Sequence, residues 1–139
     1  QEVLTALATA RLVIFCPSNP FVSLGPILEL PGIKEAIHSA PGPKVAVSPI
    51  VGGQALKGPV AKMMRELGEK PSAAGVARRY VGLVDGFVLD ERDQNEMATI
   101  RDMGLSVLVT DTIMDSSEKK IQLASEVMSF SETLRDPSR

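Results

Sequence analysis

The stretch KVAVSPIVGG, residues 44–53, decides the fold class, because an unbroken apolar run passes directly into a loop with two adjacent glycines. A strand covered on one face alternates apolar and polar side chains, whereas a strand covered on both faces is apolar throughout. The run Lys44–Ser48 is therefore predicted to be a strand buried on both faces of a parallel sheet. The glycines that follow it indicate a turn between this strand and the next element.

Three further runs have the same character: Leu12–Cys16, Gly86–Leu89 and Ser106–Val109. The segments between the runs place apolar residues at helical spacing, as expected of helices that pack one face on a sheet. These helices are predicted around Val60–Leu67, Ser72–Tyr80, Met97–Met103 and Ser116–Phe130. Strands that alternate with helices predict an α/β protein with a Rossmann-like, mostly parallel sheet and helices on both faces.

Local signals mark where several of these helices begin or end. Pro59 stands just inside the start of one helix, and Gly104 is placed to end another in a left-handed conformation. Asp115 and Glu118 form an aspartate version of the capping box ahead of the last helix. Five methionines on helical faces are predicted to fill the core, at positions 63, 64, 97, 103 and 128.

Composition limits the classes of function. The chain has 139 residues, enough for one domain, and its net charge of −2 offers no broad attraction for nucleic acid or an anionic membrane. No apolar stretch approaches the roughly 20 residues needed to span a bilayer. Cys16 is the only cysteine, so an intramolecular disulfide is excluded, and its apolar surroundings predict a buried, inert thiol. Together these features predict a cytoplasmic protein that binds neither nucleic acid nor membranes.

The first residues lie directly inside an apolar helical pattern formed by Val3, Leu4, Leu7 and Ala10. A helix usually has a polar lead-in before such a pattern. We therefore expect residues 1–139 to be the C-terminal part of a single domain, with an incomplete sheet and a missing preceding half. Residues 131–139 are polar and contain a proline, which predicts a flexible tail.

Ligands of open parallel sheets bind outside the carboxyl ends of the strands, so the loops after the predicted strands are the candidate site. The loop 48–58 is the richest, because Gly52 and Gly53 let backbone N–H groups face a ligand and Lys57 adds a positive charge near a helix start. An ordinary turn with a solvated lysine has the same pattern, and both readings stay open. Gly58 is not followed by the Lys-Ser/Thr pair of a P-loop, which excludes that motif.

The other loops offer weaker signals. Prolines bracket Ser18 and Asn19. The prolines either hold these two polar side chains in place for a ligand or merely end a strand. Thr110 and Thr112 can donate to a ligand, and Asp111 is expected to bond within its own turn. The acidic group Asp90, Glu91 and Asp93 can bind Mg²⁺ but is better explained as a helix cap. His38 is expected on the surface, and no spacing of Cys or His predicts a metal site.

Six segments, taken in order, resemble the 2-phospho-L-lactate transferase family of coenzyme F-420 biosynthesis. They are IFCPSNPFVSLGPIL (14–28), AVSPIVGG (46–53), LKGP (56–59), KMMRELG (62–68), DGFV with Asp90 (85–90) and TDTIM (110–114). The resemblance runs over nearly the whole chain. It implies transfer of a phospholactyl or phosphoenolpyruvyl group from a guanylyl-activated donor to the deazaflavin Fo, with release of GMP.

The resemblance also implies which residues of this chain bind substrate, and which functional residues lie in the missing part. Substrate contacts are expected from the three loops, at Pro17, Ser18, Asn19, Ser23, Ser48, Ile50, Val51, Gly52, Gly53, Lys57, Gly58, Thr110 and Thr112. Mg²⁺ is implied for the complete enzyme, with its ligands and the catalytic residues in the missing part. Fo and the guanylylated donor are the implied partners, with a homodimer or a complementing N-terminal chain. The alternative is a non-enzymatic nucleotide- or nucleotide-sugar-binding regulator of similar fold.

Overall fold

The computed structural model describes residues 2–135. Its regular elements follow in chain order: α1 (Glu2–Ala8), β1 (Val13–Phe15), a π-helix (Pro20–Leu24), α2 (Gly25–Leu28), α3 (Ile33–Ser39), β2 (Lys44–Val47), β3 (Ile50–Val51), β4 (Gln54–Ala55), α4 (Val60–Glu66), α5 (Ala73–Ala77), a 3₁₀ turn (Arg78–Tyr80), β5 (Gly86–Asp90), a 3₁₀ helix (Glu91–Glu96), α6 (Met97–Asp102), β6 (Ser106–Thr110) and α7 (Ser117–Thr133). None of the helices in this part of the chain is long and apolar enough to cross a membrane.

The main sheet has four strands in the order β1-β2-β5-β6, and every neighbouring pair is parallel. Ala46 lies opposite Phe15 on one side and Phe87 on the other, which fixes the register of the three strands. All five residues of β5 are buried, as a strand covered on both faces requires. The predicted strands and their parallel arrangement are therefore confirmed.

Two apolar clusters cover the two faces of the sheet. The larger one joins Phe15, Ala46 and Phe87 to buried residues of α3, α4, α5 and α6. The smaller one joins Val45, Val47 and Val88 to α7 through Leu123 and Val127. Helices on both faces are thus confirmed. Burial of their apolar side chains stabilises the fold by roughly 25 cal/mol per Å² of surface removed from water, and this is the main stabilising contribution to such a fold.

Close backbone packing explains one glycine of the sheet. A Cβ atom added at Gly86 would lie 2.6 Å from Cε1 of Phe130 and 2.9 Å from Cδ1 of Leu134. Helix α7 therefore rests directly on the first residue of β5. Leu134 follows the last residue of α7, so this contact fixes the end of the helix against the sheet.

Three expectations for the last helix are wrong. Ser116, and not Asp115, is its N-cap, with its hydroxyl accepting from Lys119 N at 3.2 Å. The helix extends to Thr133 and buries Ser131, so the predicted tail begins too early; residues 136–139 lie outside the described part. Met128 is 52% exposed, since only the stripe through Leu123 and Val127 faces the sheet.

Two other predictions of burial have different outcomes. Cys16 is exposed, because β1 ends at Phe15 and the cysteine already belongs to the loop. Met64 is fully buried, and Met103 packs against the same cluster, as predicted. His38 lies on the surface, which confirms its interpretation as a solvated residue.

Candidate functional site

A cavity of about 530 Å³ lies at the carboxyl edge of the main sheet, where the loops after β1, β2 and β6 meet. Its wall is formed by Pro17, Ser48, Pro49, Leu56, Lys57, Thr112, Ile113, Met114, Asp115 and Lys120. Four residues predicted to bind substrate are thus brought together: Pro17, Ser48, Lys57 and Thr112. This is the edge at which ligands of open parallel sheets bind.

The loop after β2 contains a small hairpin that the sequence analysis missed. Strands β3 and β4 pair antiparallel, with Ile50 opposite Ala55 and Val51 opposite Gln54. Gly52 and Gly53 form the two-residue turn with φ of 59° and 72°. Such a turn needs positive φ at both positions, which glycine adopts at little cost. The signal was present as two glycines between short β-prone pairs, but the pairs have only two residues each.

The turn glycines do not offer free N–H groups to a ligand, contrary to the prediction. Gly52 N donates to Oδ2 of Asp93 at 2.9 Å, and Gly53 N donates to Oδ1 of the same carboxylate at 3.2 Å. Asp93 is only 3% exposed. Burial raises the pKa of Asp93, while the two N–H bonds lower it to a smaller extent. An internal carboxylate therefore occupies the place that a phosphate was expected to take.

A second buried carboxylate fixes the opposite wall of the cavity. Oδ2 of Asp90 accepts from Thr112 N at 3.0 Å and from Thr112 Oγ1 at 3.1 Å. Oδ1 of Asp90 accepts from Arg92 N at 3.0 Å, which confirms its role as a helix cap. The Thr112 hydroxyl lines the cavity but already donates its hydrogen to Asp90. It is therefore available to a ligand only as an acceptor.

Thr110 and Asp111 are engaged within the chain. Thr110 Oγ1 bonds to Glu126 on α7, and Thr110 is not part of the cavity wall. Oδ1 of Asp111 accepts from Ile113 N at 3.0 Å, and Oδ2 lies 3.1 Å from Lys119 Nζ. The Ile113 N–H and the Lys119 ammonium hold the pKa of Asp111 below its usual range. Turn bonding by Asp111 is thus confirmed, and Thr110 supports the packing of α7.

In the loop after β1, the side-chain oxygen of Asn19 serves the backbone. It accepts from Phe21 N at 2.9 Å and from Val22 N at 3.3 Å, which caps the π-helix. The guanidinium of Arg79 lies 4.4 Å from the centre of the Phe21 ring and pairs with Glu69 at 2.8 Å, which ties this loop to the 3₁₀ turn after α5. Ser18 and Ser23 lie outside the cavity wall, and Ser23 is exposed.

The remaining predicted contacts of the hairpin loop divide by burial. Ile50 is fully buried and Val51 is 7% exposed, so both belong to the core. Gly58 is exposed with φ of 76°, and a Cβ atom added there would meet nothing within 4 Å. Ser48 lines the cavity, while its hydroxyl donates to Ile50 O at 3.2 Å and accepts from Ile50 N at 3.1 Å. Ser48 therefore shapes the start of the hairpin.

Two lysines give the cavity a positive character. Lys57 and Lys120 are both exposed, and neither takes part in an ion pair among residues 2–135. The one acidic side chain of the wall, Asp115, lies 3.5 Å from Lys119. Lys120 was missed from the sequence, although its place in the first turn of α7 puts it beside the loop after β6. The lysines can neutralise an anionic ligand.

The described residues do not supply a metal site. Within residues 2–135 no group of three or more His, Cys, Asp or Glu side chains is placed to hold a metal ion. The carboxylates of Asp90 and Asp93 already accept backbone N–H groups. Mg²⁺ therefore does not fit the acidic group of Asp90, Glu91 and Asp93.

The fold and the cavity define a class: a Rossmann-like α/β protein with a lysine-bearing cavity at the carboxyl edge of its sheet. Residues 1–129 match the family described as 2-phospho-L-lactate transferase CofD, and the chain belongs to this family.

Named relatives agree with the family. A 2-phospho-L-lactate transferase of Methanosarcina barkeri is 40% identical over 136 residues, which is 98% of this chain and 43% of the relative. A phosphoenolpyruvate transferase of Kitasatospora aureofaciens is 36% identical over 137 residues, with the same two shares. A 2-phospho-L-lactate transferase of Methanocaldococcus jannaschii is 39% identical over 130 residues, 94% of this chain and 40% of the relative. The chain thus spans less than half the length of these relatives.

Proposed function

We propose that the complete protein transfers a phospholactyl or phosphoenolpyruvyl group to the deazaflavin Fo, and that the cavity of this chain binds part of the activated donor. Membership of the family supports the reaction class. The observation that carries the assignment of the cavity is the pair Lys57 and Lys120 at the carboxyl edge of the sheet, which have no ion-pair partner among residues 2–135. A donor with a diphosphate needs such local cations, because the chain as a whole carries a net charge of −2.

The proposed reaction is a phosphoryl-group transfer. The terminal ribityl hydroxyl of Fo forms a bond to the phosphorus that carries lactate or enolpyruvate. The bond from that phosphorus to the bridging oxygen breaks, GMP leaves with the electron pair, and the hydroxyl proton is released. Reactions of this kind are catalysed mainly by positioning and by neutralisation of charge. Lys57 and Lys120 supply neutralisation, while Pro17, Ser48 and Thr112 shape the cavity.

Mg²⁺ belongs to this proposal as a cofactor of the complete protein. When bound, it would neutralise charge on the transferred group. Its ligands, and the catalytic residues, are assigned to parts of the family domain outside this chain. The relatives are named for both phospholactate and phosphoenolpyruvate, so the proposal includes both donors.

We further propose that the chain is covered by more protein in its working form. Ile14 on the edge strand β1 is 41% exposed, and Ile121 on α7 is 71% exposed. Isolated apolar side chains are common on surfaces. Ile14, however, belongs to a strand that has no pairing strand on its outer side among residues 2–135. Ile121 lies on α7 outside the apolar cluster that joins this helix to the sheet. The rest of the family domain or a second copy would cover them. The cytoplasm is the proposed location, since a free exposed cysteine is typical of a reducing compartment.

Substitution of Lys57 tests the role of the cavity. Lys57→Ala in the complete protein is expected to lower kcat/KM for the donor roughly ten- to a hundredfold, the range for losing a charge-assisted hydrogen bond. Lys62→Ala is the matched control, because Lys62 is equally exposed on α4 but pairs with Glu66 away from the cavity. Formation of the deazaflavin product is measured beside a thermal melt of each variant. Wild-type kinetics in Lys57→Ala would refute its role, and donor binding without any product would favour the regulator.

A further inference from the structure

The end of β5 and the 3₁₀ helix that follows it lie between the two halves of the cavity wall and are bonded to both. Asp93 holds the Gly52–Gly53 turn on the side of Lys57, and Asp90 holds Thr112 on the side of Lys120. These bonds join residues about forty and about twenty positions apart in the chain. The two carboxylates are 3% and 1% exposed, so neither is a surface charge that happens to touch a neighbour.

Lys57 lies close in the chain to the turn that Asp93 holds. The positive φ values of Gly52 and Gly53 are those of a two-residue hairpin turn, so the position of this turn sets the register of β3 against β4. Lys57 follows the end of β4 by two residues, with Leu56 between them on the cavity wall. The turn itself is exposed at Gly52, and apart from Asp93 no side chain bonds to its N–H groups in the described chain.

We propose that Asp93 is a positioning residue of the donor cavity, which acts by holding the β3–β4 hairpin so that Lys57 reaches the ligand. The inference rests on the proposed function, since it assigns Asp93 a part in the same site. The carboxylate of Asp93 also occupies the position at the Gly52–Gly53 turn where an anionic ligand would bind. The diphosphate is therefore directed to the side chains of Lys57 and Lys120, and away from the turn.

The electrostatic environment of Asp93 agrees with a place in a functional site. Burial raises the pKa of Asp93 and the nearby charge of Asp90 adds to this, while the two backbone N–H bonds and Arg92 act in the opposite direction. Perturbed pKa values of this kind recur at functional sites.

A double-mutant cycle in the complete protein tests the link between Asp93 and Lys57. Asp93→Ala is expected to lower kcat/KM for the donor roughly ten- to a hundredfold, as for a displacement of a binding group by about 1 Å. In the Lys57→Ala background the same substitution should change kcat/KM less than about twofold, because its effect passes through the lysine. KM for Fo should stay unchanged. Asp93→Asn, which keeps one acceptor oxygen, should restore part of the loss, and Glu91→Gln is the exposed control from the same turn.

Amide NMR of the complete protein supplies a readout that does not depend on catalysis. Asp93→Ala should make the N–H groups of residues 52–57 exchange faster and move on a shorter timescale, whereas Glu91→Gln should not. Two results would overturn the inference. One is a loss of kcat/KM from Asp93→Ala that is as large in the Lys57→Ala background as in the wild type, and the other is an unchanged hairpin in Asp93→Ala. If Lys57→Ala alone is silent, the proposed function fails by itself, and the NMR result then decides whether Asp93 holds the hairpin.

Discussion

Replacing Tyr80 with phenylalanine removes one hydroxyl from the centre of the larger cluster. Tyr80 is 2% exposed, and its ring contacts Phe15 and Phe87 with centroid separations of 5.5 and 6.2 Å. Its hydroxyl has no hydrogen-bond partner within the described chain. A buried hydroxyl without a partner costs roughly 1–3 kcal/mol of desolvation. At neutral pH, Tyr80→Phe is therefore expected to leave the free energy of unfolding unchanged or to raise it by up to that amount.

The same hydroxyl predicts a loss of stability at alkaline pH. Burial raises the pKa of Tyr80 to about 12, from 10.0 for the ordinary side chain. Above pH 10 the unfolded chain releases a proton that the folded chain retains, so the free energy of unfolding falls as pH rises. The slope approaches about 1.4 kcal/mol per pH unit, and the loss reaches roughly 2.3 kcal/mol at pH 12 and levels off near 2.7 kcal/mol above it. Below pH 10 both states are protonated, and this contribution vanishes.

The assay is urea unfolding of both variants between pH 7 and the alkaline limit of reversible folding. The difference in unfolding free energy, Tyr80→Phe minus wild type, should stay constant up to pH 10 and then grow. Tyr80 is the only tyrosine, so an ultraviolet absorbance titration reports its pKa directly. Destabilisation of Tyr80→Phe by more than about 1 kcal/mol at pH 7 would refute the reasoning, since it would show that the hydroxyl has a partner.

Two further substitutions test the packing and capping of the last helix. Gly86→Ala should destabilise the chain by about 1–3 kcal/mol, because its Cβ would stand 2.6 Å from Phe130; Phe130→Leu in the same chain should recover part of the loss in a thermal melt. Ser116→Ala should cost about 1 kcal/mol by removing the cap on Lys119 N, while Ser117→Ala, one residue inside the helix, should cost much less; equal melts for the two would contradict the assignment of the cap.

The apolar runs predicted the sheet well because a strand buried on both faces needs little beyond local composition. The same continuity hides which face a given residue points to. The end of a run is equally hard to place: Thr110 was expected in the loop after Ser106–Val109, whereas β6 includes Thr110 and its hydroxyl bonds to Glu126 on α7. Cys16 was placed inside its strand because an apolar run does not show where hydrogen bonding stops.

The sequence predicted where the loops of the candidate site meet, but not the hydrogen bonds that hold them. Loops at the carboxyl ends of parallel strands meet by topology alone, which is why Pro17, Ser48, Lys57 and Thr112 could be expected together. The bond between Asp93 and the Gly52–Gly53 turn joins two loops that are distant in sequence. No local sequence pattern predicts such a hydrogen-bonded contact, because the contact depends on how far the two segments reach across the neighbouring strand.

The central claim is that Lys57 and Lys120 face the diphosphate of the donor. It is tested most directly by a crystal structure of the complete protein with a donor analogue whose transferable bond cannot break. We expect the diphosphate in the cavity bounded by Ser48 and Thr112, with an oxygen within about 4 Å of Lys57 Nζ, the limit for an ion pair. Binding of the diphosphate at the opposite end of the strands, in the cleft lined by Arg11, Lys44 and Arg135, would contradict the claim.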